Sequence, residues 1–373
     1  MPTYDQNQTV FSFAAIADLG SGIEGTPAEI EATVKSEITS ILADTTVRGL
    51  IGEWELVWGP VVDVSELPIV GDFLPINTMF VVRQTGDNPQ YVVGIAGTDS
   101  KSIFDWFVED FWVESTVTWP WLPAGSTTQP QISNGTNFGL NKLIGMKDSG
   151  QSARDYLQTT AATEQNTLVT VTGHSLGGAL SPSYALYLND TASEWNSQGN
   201  ARIACLPAAG PTPGDKAFAN YYDQQIGDAT TRVWNKHDIV PHAWQKDMLV
   251  EIPVLYIPTI PIDATVSALI AVALYISRKT EYTQLLSGTA GSPNPVVPIE
   301  ASSTFEEFMK EACVQHVDGY IHIFHLQEFQ SAVAALLPSG SFFSCGITPE
   351  HIQDLADKVK AKAAQIEPDS IEI

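Results

Sequence analysis

The stretch Gly173-His-Ser-Leu-Gly-Gly178 decides the fold of this chain, because of the segments that flank it. Residues 166–172 are rich in β-branched side chains and predict a strand. Residues 176–188 have the composition of a helix. A sharp Gly-x-Ser-x-Gly turn between a strand and a helix presents a serine hydroxyl at the carboxyl edge of a parallel sheet. Ser175 is therefore predicted to be a nucleophile.

The spacing within this turn suits nucleophilic chemistry. Glycines on both sides of Ser175 lack Cβ atoms, so the strand and the helix are able to approach each other closely. The N–H of Leu176 stands at the predicted helix start, where it points to the position of an oxyanion. A chance match in a glycine-rich turn is the alternative interpretation, which the flanking strand and helix disfavour.

Strands and helices alternate along the chain on both sides of this turn. The alternation predicts an α/β fold with a mostly parallel central sheet and helices on both faces. No Ser- or Pro-rich linker occurs, so one domain over residues 1–373 is expected, with an apolar insertion at residues 245–300. The other predicted elements are strands at 54–64, 78–82, 91–95, 201–207 and 230–235, and helices at 26–42, 138–160 and 215–225.

The charge balance limits the partners of this chain. It carries 18 Lys and Arg residues against 43 Asp and Glu residues, a formal net charge of −25. A field of that sign repels phosphate backbones, so we expect no nucleic-acid binding. Anionic lipid surfaces are repelled in the same way unless apolar contact outweighs the charge. A hydrophobic content of 44% excludes an intrinsically disordered chain.

The cysteines do not predict a metal site. Cys205, Cys313 and Cys345 lie far apart, and the sequence has no Cys-x-x-Cys or Cys/His ligand spacing. Three buried thiols are expected from the usual burial of cysteine. One disulfide with one free thiol is the alternative.

Residues 248–277 form the segment that is most similar to a membrane span. Their uncharged part, residues 264–277, is 14 residues long, and a bilayer requires ~20. We therefore predict a buried or interfacial helix and no transmembrane segment. The N-terminus lacks a basic region followed by an apolar run, so no signal peptide is expected in this sequence.

A serine nucleophile needs an oriented base, and in α/β-hydrolases an acid and then a histidine follow the serine along the chain. Asp238 follows a predicted strand and is a candidate acid, although an ordinary turn-capping aspartate fits its position equally. His316 follows a helical stretch that begins at residue 304. His322 and His325 have apolar neighbours, which predict half-buried structural roles. The residues alone leave the identity of the base open.

Several segments together resemble the class 3 lipase family, the α/β-hydrolases that include the fungal triacylglycerol lipases. The resemblance spans roughly residues 78–326 and is most specific at the serine turn and at the acid. The segments that carry it are Val93-Gly-Ile-Ala-Gly-Thr98, Gly173-His-Ser-Leu-Gly-Gly178, Pro211-Thr-Pro-Gly214 with Phe218-Ala219, Arg232-Val-Trp-Asn-Lys-His-Asp-Ile-Val-Pro241, and Gln315-His316 with Tyr320.

The resemblance implies a role for each matched position. Ser175 is the nucleophile, Asp238 the orienting acid and His316 the base, with His322 as the main rival to His316. The backbone N–H groups of Thr98 and Leu176 are the implied oxyanion donors. No metal ion or cofactor is implied.

This sequence departs from the family pattern in the oxyanion loop. The family carries an arginine two positions before the donor, and Ala96 stands there in this chain. The departure weakens the assignment of Thr98 more than it weakens the assignment of the triad.

The family places a lid after the oxyanion loop, and residues 99–125 occupy that position here. Their aromatic density predicts an apolar face that contacts a lipid surface or lines an acyl-binding groove, although a loop packed shut by its own rings is the alternative. The aromatic residues are Phe104, Trp106, Phe107, Phe111, Trp112, Trp119 and Trp121.

The resemblance implies a serine hydrolase that cleaves carboxylic esters of lipids through an acyl-enzyme. A phospholipase A1 or an aromatic-acid esterase on the same framework is an alternative, as is a lipase-like binding module with an incomplete triad. The implied partner is a lipid or other ester substrate, with transient contact between the lid and a lipid interface. The resemblance and the low lysine content also suggest export from the cell.

Overall fold

The structure, a computed structural model, describes residues 2–23, 25–66, 73–86, 90–97 and 112–366. Within these described ranges, five strands form the central sheet and two short strands form a separate hairpin-like pair. The sheet strands are β1 (Trp54–Glu66), β2 (Phe73–Gln84), β3 (Gln90–Ile95), β6 (Thr167–His174) and β7 (Ala201–Ala208), and the pair is β4 (Thr116–Thr118) with β5 (Gln131–Ser133).

The sheet has the order β1-β2-β3-β6-β7. β1, β2 and β3 are antiparallel, whereas β3, β6 and β7 are parallel. In the parallel half, Ile95 lies opposite Gly173 and His174 lies opposite Ala208. The carboxyl ends of three strands therefore meet at one edge, where open α/β sheets bind their ligands.

The strand predicted at residues 230–235 is reduced to two parallel bridges, Cys205 with Thr230 and Ala208 with Val233. The N–H of Thr231 and that of Val233 bond to the carbonyls of Cys205 and Pro207. A regular parallel ladder has one more hydrogen bond between these two, donated by the backbone N–H of residue 207. Residue 207 is a proline, which has no N–H. Pro207 thus interrupts the ladder that the residue pattern predicts.

Helices cover both faces of the sheet. Tyr91, Val93 and Ile95 of β3 lie in one hydrophobic cluster, and Val92 lies in the cluster on the opposite face. The helices are α1 (Gln6–Ala17), α2 (Pro27–Ala43), α3 (Thr45–Ile51), α4 (Asn134–Gly145), α5 (Ala153–Thr159), α6 (Leu176–Asp190), α7 (Ala192–Trp195), α8 (Lys216–Ile226), α9 (Lys246–Leu249), α10 (Ala264–Ser277), α11 (Thr304–His316), α12 (Asp318–Ile323), α13 (Gln327–Ala334) and α14 (Pro349–Ala363).

The single helix predicted at residues 138–160 is wrong in its extent. The structure has two helices, α4 and α5, separated by a turn in which Asp148 and Gln151 form a bridge. Ser149 and Gly150 have positive φ angles of 51° and 84°. α4 ends at Gly145, where Met146 is extended, and the positive φ angles that follow are incompatible with a continuous α-helix.

The apolar segment at residues 264–277 forms a helix that packs into the core, the first of the two alternatives expected for it, a buried or an interfacial helix. α10 buries Val266, Leu269, Ile270, Ala273 and Ile276, a stripe with helical spacing, in a third hydrophobic cluster together with α11 and α14. Among the described residues, no helix combines the length and the apolar character that crossing a membrane requires. The single-domain organisation stays a prediction.

The expectation of three buried thiols is wrong. Cys313 and Cys345 form a disulfide, and Cys205 is a buried free thiol. The pairing joins α11 to the segment that follows α13, two elements whose proximity depends on the packing of the chain. Spacing along the sequence does not reveal it.

Removing this disulfide is expected to destabilise the fold. It closes a loop with a sequence separation of 32, for which chain entropy predicts a loss of about 3–4 kcal/mol in the free energy of unfolding. Urea unfolding of the Cys313→Ala/Cys345→Ala variant and of the wild type, each with and without dithiothreitol, measures the loss. Wild-type protein that unfolds at the same urea concentration with and without the reductant contradicts the prediction.

Candidate active site

Ser175 stands in a strained turn between β6 and α6. Its backbone angles are φ 60° and ψ −123°, a region that non-glycine residues occupy at a cost and mostly at functional sites. The turn is also tight. A Cβ on Gly177 would lie 2.3 Å from the carbonyl oxygen of Ile95, and one on Gly178 would lie 2.1 Å from that of Ala208. Only glycine permits this approach of α6 to the sheet.

Asp238 is a fully buried carboxylate that accepts hydrogen bonds on both oxygens. The N–H of Val240 donates to Oδ1 at 3.0 Å, and the hydroxyl of Tyr320 donates to Oδ2 at 2.9 Å. Nδ1 of His316 lies 2.9 Å from each oxygen. A buried charge is costly unless it is paired and hydrogen-bonded, and these contacts satisfy that condition.

His316 is the last residue of α11 and is also fully buried. Because Nδ1 donates to Asp238, the tautomer leaves a lone pair on Nε2. Nε2 has no hydrogen-bond partner among the described residues, and neither does the Oγ of Ser175, which is 1% exposed. Buried polar groups without partners are rare and often mark functional sites. The two atoms are not hydrogen-bonded to each other in this structure.

The ring of His316 lies beside the serine turn. Its centroid is 4.7 Å from that of His174, the residue that immediately precedes Ser175. The Nε2 of His174 lies 2.7 Å from the carbonyl oxygen of His316. The structure thus brings His316 and Asp238 into contact and places the ring of His316 beside the turn that carries Ser175.

Burial controls the protonation of this cluster. Desolvation lowers the pKa of His316 below its ordinary value, and the charge of Asp238 acts in the opposite direction. Burial and the same carboxylate raise the pKa of Tyr320 well above its ordinary value. The imidazole is therefore neutral near pH 7 and able to accept a proton, while the phenol keeps the proton that it donates to Asp238.

Asn235 connects the acid to the helix that carries the base. Its backbone N–H donates to the hydroxyl of Tyr320 at 3.0 Å. Its side-chain Nδ2 donates to the carbonyl and to Oε1 of Gln315 at 2.9 and 2.7 Å. The sequence motifs include Asn235, Gln315 and Tyr320 without revealing that they form one hydrogen-bonded unit around Asp238.

His322 does not lie at this site. It is exposed on α12, whose buried residues are Gly319, Tyr320 and Ile321. His325 is exposed as well. The predicted half-buried roles of His322 and His325 are wrong, because the apolar residues beside them face the core while the two histidines face solvent.

Of the two predicted oxyanion donors, Leu176 lies within the described residues and Thr98 does not. Leu176 is the first residue of α6, so its N–H has no acceptor within the helix. Thr98 lies outside the described residues. The preceding residue, Gly97, abuts the serine turn, because a Cβ on Gly97 would lie 3.0 Å from the Cβ of Ser175.

Asp18 anchors the loop in which the family arginine is missing. Its Oδ1 accepts the N–H of Gly97 at 2.6 Å. Asp18 is the C-cap residue of α1, far from Ala96 in the sequence. No motif in the sequence pointed to this residue.

The proposed lid segment, residues 99–125, is described only from residue 112 onward. Phe104, Trp106, Phe107 and Phe111 lie outside the described residues. Trp119 is buried, contacts Trp121 and Phe218, and donates from Nε1 to Asp190 at 2.8 Å. The part around Trp119 therefore packs against helices outside the segment, and the lid itself stays a prediction.

The described residues contain no group of three or more His, Cys, Asp or Glu side chains that is arranged to hold a metal ion.

Comparison with known proteins places the chain among lipases. The model of the family "Lipase (class 3)" matches residues 92–248, which include Ser175 and Asp238 but not His316. The crystal structure of M37 lipase superposes with a TM-score of 0.77 and 30% sequence identity, over 90% of this chain and 98% of that chain. The chain belongs to the class 3 lipase family. The α/β-hydrolase fold that the family resemblance implies is confirmed.

Two curated relatives of this class 3 lipase are plant enzymes. The phospholipase A1-II 3 proteins of Oryza sativa subsp. japonica and subsp. indica are each 30% identical over 130 residues. These matches cover 32% of this chain and 30% of the length of the rice proteins.

Proposed function

We propose that this class 3 lipase is a serine hydrolase that cleaves carboxylic esters of lipids, with Ser175 as nucleophile, His316 as base and Asp238 as orienting acid. The observation that carries the proposal is the contact of Nδ1 of His316 with both oxygens of Asp238 at 2.9 Å. It leaves Nε2 of a neutral, buried imidazole without a partner beside a strained serine turn.

The first chemical step is acylation of the serine. The Oγ of Ser175 attacks the ester carbonyl while Nε2 of His316 takes its proton, and Asp238 stabilises the imidazolium that forms. The N–H of Leu176 and, by family resemblance, that of Thr98 donate to the tetrahedral oxyanion. The loss of one such donor typically costs about 3–4 kcal/mol of transition-state stabilisation. His316 then protonates the leaving alcohol.

Water completes the cycle by attacking the acyl-enzyme. His316 removes a proton from the water, the ester bond to Oγ breaks, and the proton returns to Ser175. The residues for both half-reactions belong to this chain, and neither step requires a metal ion or a cofactor.

Access to the serine requires a change in what covers it. Ser175 is 1% exposed, and an ester carbonyl must come within about 3–3.5 Å of its Oγ to react. We propose that the predicted lid, residues 99–125, contacts a lipid interface transiently, as the family resemblance implies.

Hydrolysis of a phospholipid at the sn-1 position is the second candidate function. The 30% identity to rice proteins named phospholipase A1-II 3 favours it. The fold and the proposed catalytic residues are the same for a triacylglycerol lipase and a phospholipase A1. The two functions differ in the substrate, which carries a polar head group only in the phospholipid.

A substrate panel tests the proposal. We expect hydrolysis of p-nitrophenyl esters from acetate to palmitate and release of fatty acid from triacylglycerol emulsions. Release of the sn-1 chain from phosphatidylcholine at a higher kcat/KM than from triacylglycerol would support the phospholipase function instead. Purified, folded protein that hydrolyses no member of the panel supports a non-catalytic binding module and contradicts both proposals.

The pH dependence follows from the environment of His316. Burial lowers its pKa below the ordinary value of 6.5, and only the neutral imidazole accepts a proton from Ser175. The acid limb of kcat/KM for a soluble ester is therefore expected below pH 6.5, with activity lost as the pH falls through it. A limb centred above pH 7, measured with an uncharged substrate, contradicts this expectation.

A further inference from the structure

We propose that Asp18 and His174 form a second carboxylate–imidazole pair, which positions the base and the oxyanion loop. This inference rests on the proposed function. Neither residue touches the reacting atoms, so both are positioning residues in this proposal.

The pair is part of a continuous chain of contacts. A carbonyl oxygen only accepts hydrogen bonds, so the Nε2 of His174 donates to the carbonyl of His316 across 2.7 Å. The other ring nitrogen, Nδ1, lies 3.6 Å from Oδ2 of Asp18, an ion-pair contact that forms when the imidazole carries both protons. Oδ1 of Asp18 accepts the N–H of Gly97 at 2.6 Å. This series of contacts begins at His316, the proposed base, and ends at Gly97, the residue that precedes Thr98.

These contacts join three parts of the site that come from distant segments. His174 is the chain neighbour of Ser175, His316 ends α11, and Gly97 follows β3. The carbonyl of His316 lies at a helix terminus, where carbonyl groups lack intrahelical partners. Fixing this carbonyl fixes the backbone from which the imidazole projects, and a displacement of about 1 Å in a catalytic group costs roughly 10²-fold in rate.

Packing holds the ring of His174 in one orientation. The side chain is 2% exposed. Aromatic rings surround it at centroid distances of 4.9 Å for Phe343, 5.2 Å for Tyr320 and 6.2 Å for Phe11. The titratable groups that face it are Asp18, His316 and Tyr320. A ring confined in this way holds its hydrogen bond to the carbonyl of His316 in a fixed direction. It is less suited to carrying a proton from one group to another.

A cleft of about 450 Å³ reaches the pair from the surface. It lies between the end of α1, α2 and the segment after α13, and its walls combine apolar side chains with polar ones. The residues that line it include Asp18, His174, Leu19, Leu337, Phe342 and Phe343. Truncating His174 would extend this cleft to the carbonyl of His316, which leaves a path for a small ligand such as imidazole.

Chemical rescue of His174→Ala tests the proposal. We expect kcat for p-nitrophenyl butyrate to fall by about 10- to 100-fold, with little change in KM. Free imidazole should bind the space that the side chain leaves and restore at least part of the lost kcat. Glu37→Gln is the matched control, because Glu37 lines the same cleft and has no place in the contact chain. It should keep wild-type kcat and show no response to imidazole.

The pH profile provides a second readout that a merely structural role would not move. Asp238 and Asp18 raise the pKa of His316, and His174 lowers it. Tyr320 faces the same ring and stays protonated. Asp18→Asn is expected to move the acid limb of kcat/KM to lower pH and to reduce kcat. His174→Ala is expected to move the limb to higher pH.

The kcat values of the two variants decide whether the proposal holds. A His174→Ala protein with kcat within twofold of wild type overturns the proposal, as does a loss of kcat that imidazole does not reverse. If His174→Ala fails to fold, the nearly isosteric Asp18→Asn variant decides, and an unchanged kcat and acid limb overturn the proposal. Labelling of Ser175 by a fluorophosphonate in wild-type protein shows separately whether the proposed function itself holds.

Discussion

Replacing Ser175 by alanine is expected to lower kcat for a soluble ester by about 10⁵- to 10⁶-fold, the range seen when a serine nucleophile is removed from a comparable triad. His316 would then have no hydroxyl to activate, and no acyl-enzyme would form. Residual hydrolysis would come from binding and from the oxyanion donors alone.

The same substitution should not weaken the fold. The Oγ of Ser175 is buried without a hydrogen-bond partner in the described part of the chain, and a buried polar group of that kind is destabilising. Its removal is expected to raise the free energy of unfolding by about 1 kcal/mol. Urea unfolding and an ester assay on the same preparation measure both effects.

Ser181→Ala provides the matched control. Ser181 is a buried serine on α6, the helix that follows the nucleophile. The control should retain wild-type kcat. A Ser175→Ala protein that also retains wild-type kcat would remove the basis of the proposed mechanism.

The second large effect is expected at His316. His316→Ala should lower kcat by about 10⁴- to 10⁶-fold, because Ser175 would lose the group that takes its proton. It should also lower the free energy of unfolding by about 2 kcal/mol, since Asp238 would lose its imidazole donor while it remains buried. Stopped assays and urea unfolding measure the two losses.

Two further variants separate chemistry from stability. His316→Asn retains an N–H donor that can reach Asp238, so it should be as inactive as His316→Ala but more stable. His322→Ala removes an exposed imidazole on α12 and should keep full activity. Loss of activity in His322→Ala with retention in His316→Ala would identify His322 as the base and overturn the assignment.

A part of the site can be predicted from the sequence when the interactions that determine it act between residues close together in the chain. The serine turn was predictable because steric limits act within six residues, where glycine alone permits the approach of helix and strand. Without the family resemblance, Asp238 was predictable only as a position after a predicted strand, since its turn fits an ordinary capping role equally well. The choice between His316 and His322 needed the structure, because the chain breaks its helix at Val317 and places the two rings on different faces.

The elements that were mispredicted fail for identifiable reasons. Pro207 removes the hydrogen bond that would have completed a strand at residues 230–235, although the residues there have strand composition. Ser149 and Gly150 turn the chain where apolar spacing alone indicates a continuous helix. In both places a backbone constraint at one or two positions outweighs a periodic pattern of side chains.

The amino-acid sequence by itself determined the α/β arrangement around Ser175, the length limit that makes residues 264–277 a buried or interfacial helix, and the scarcity of positive charge. Each of these follows from composition or from spacing within one element. Tertiary packing alone decided that His316 faces Asp238, that Cys313 pairs with Cys345, and that Asp18 reaches Gly97 and His174 from the end of α1. Contacts between residues far apart in the chain depend on how whole helices and strands dock, and no local periodicity encodes that docking.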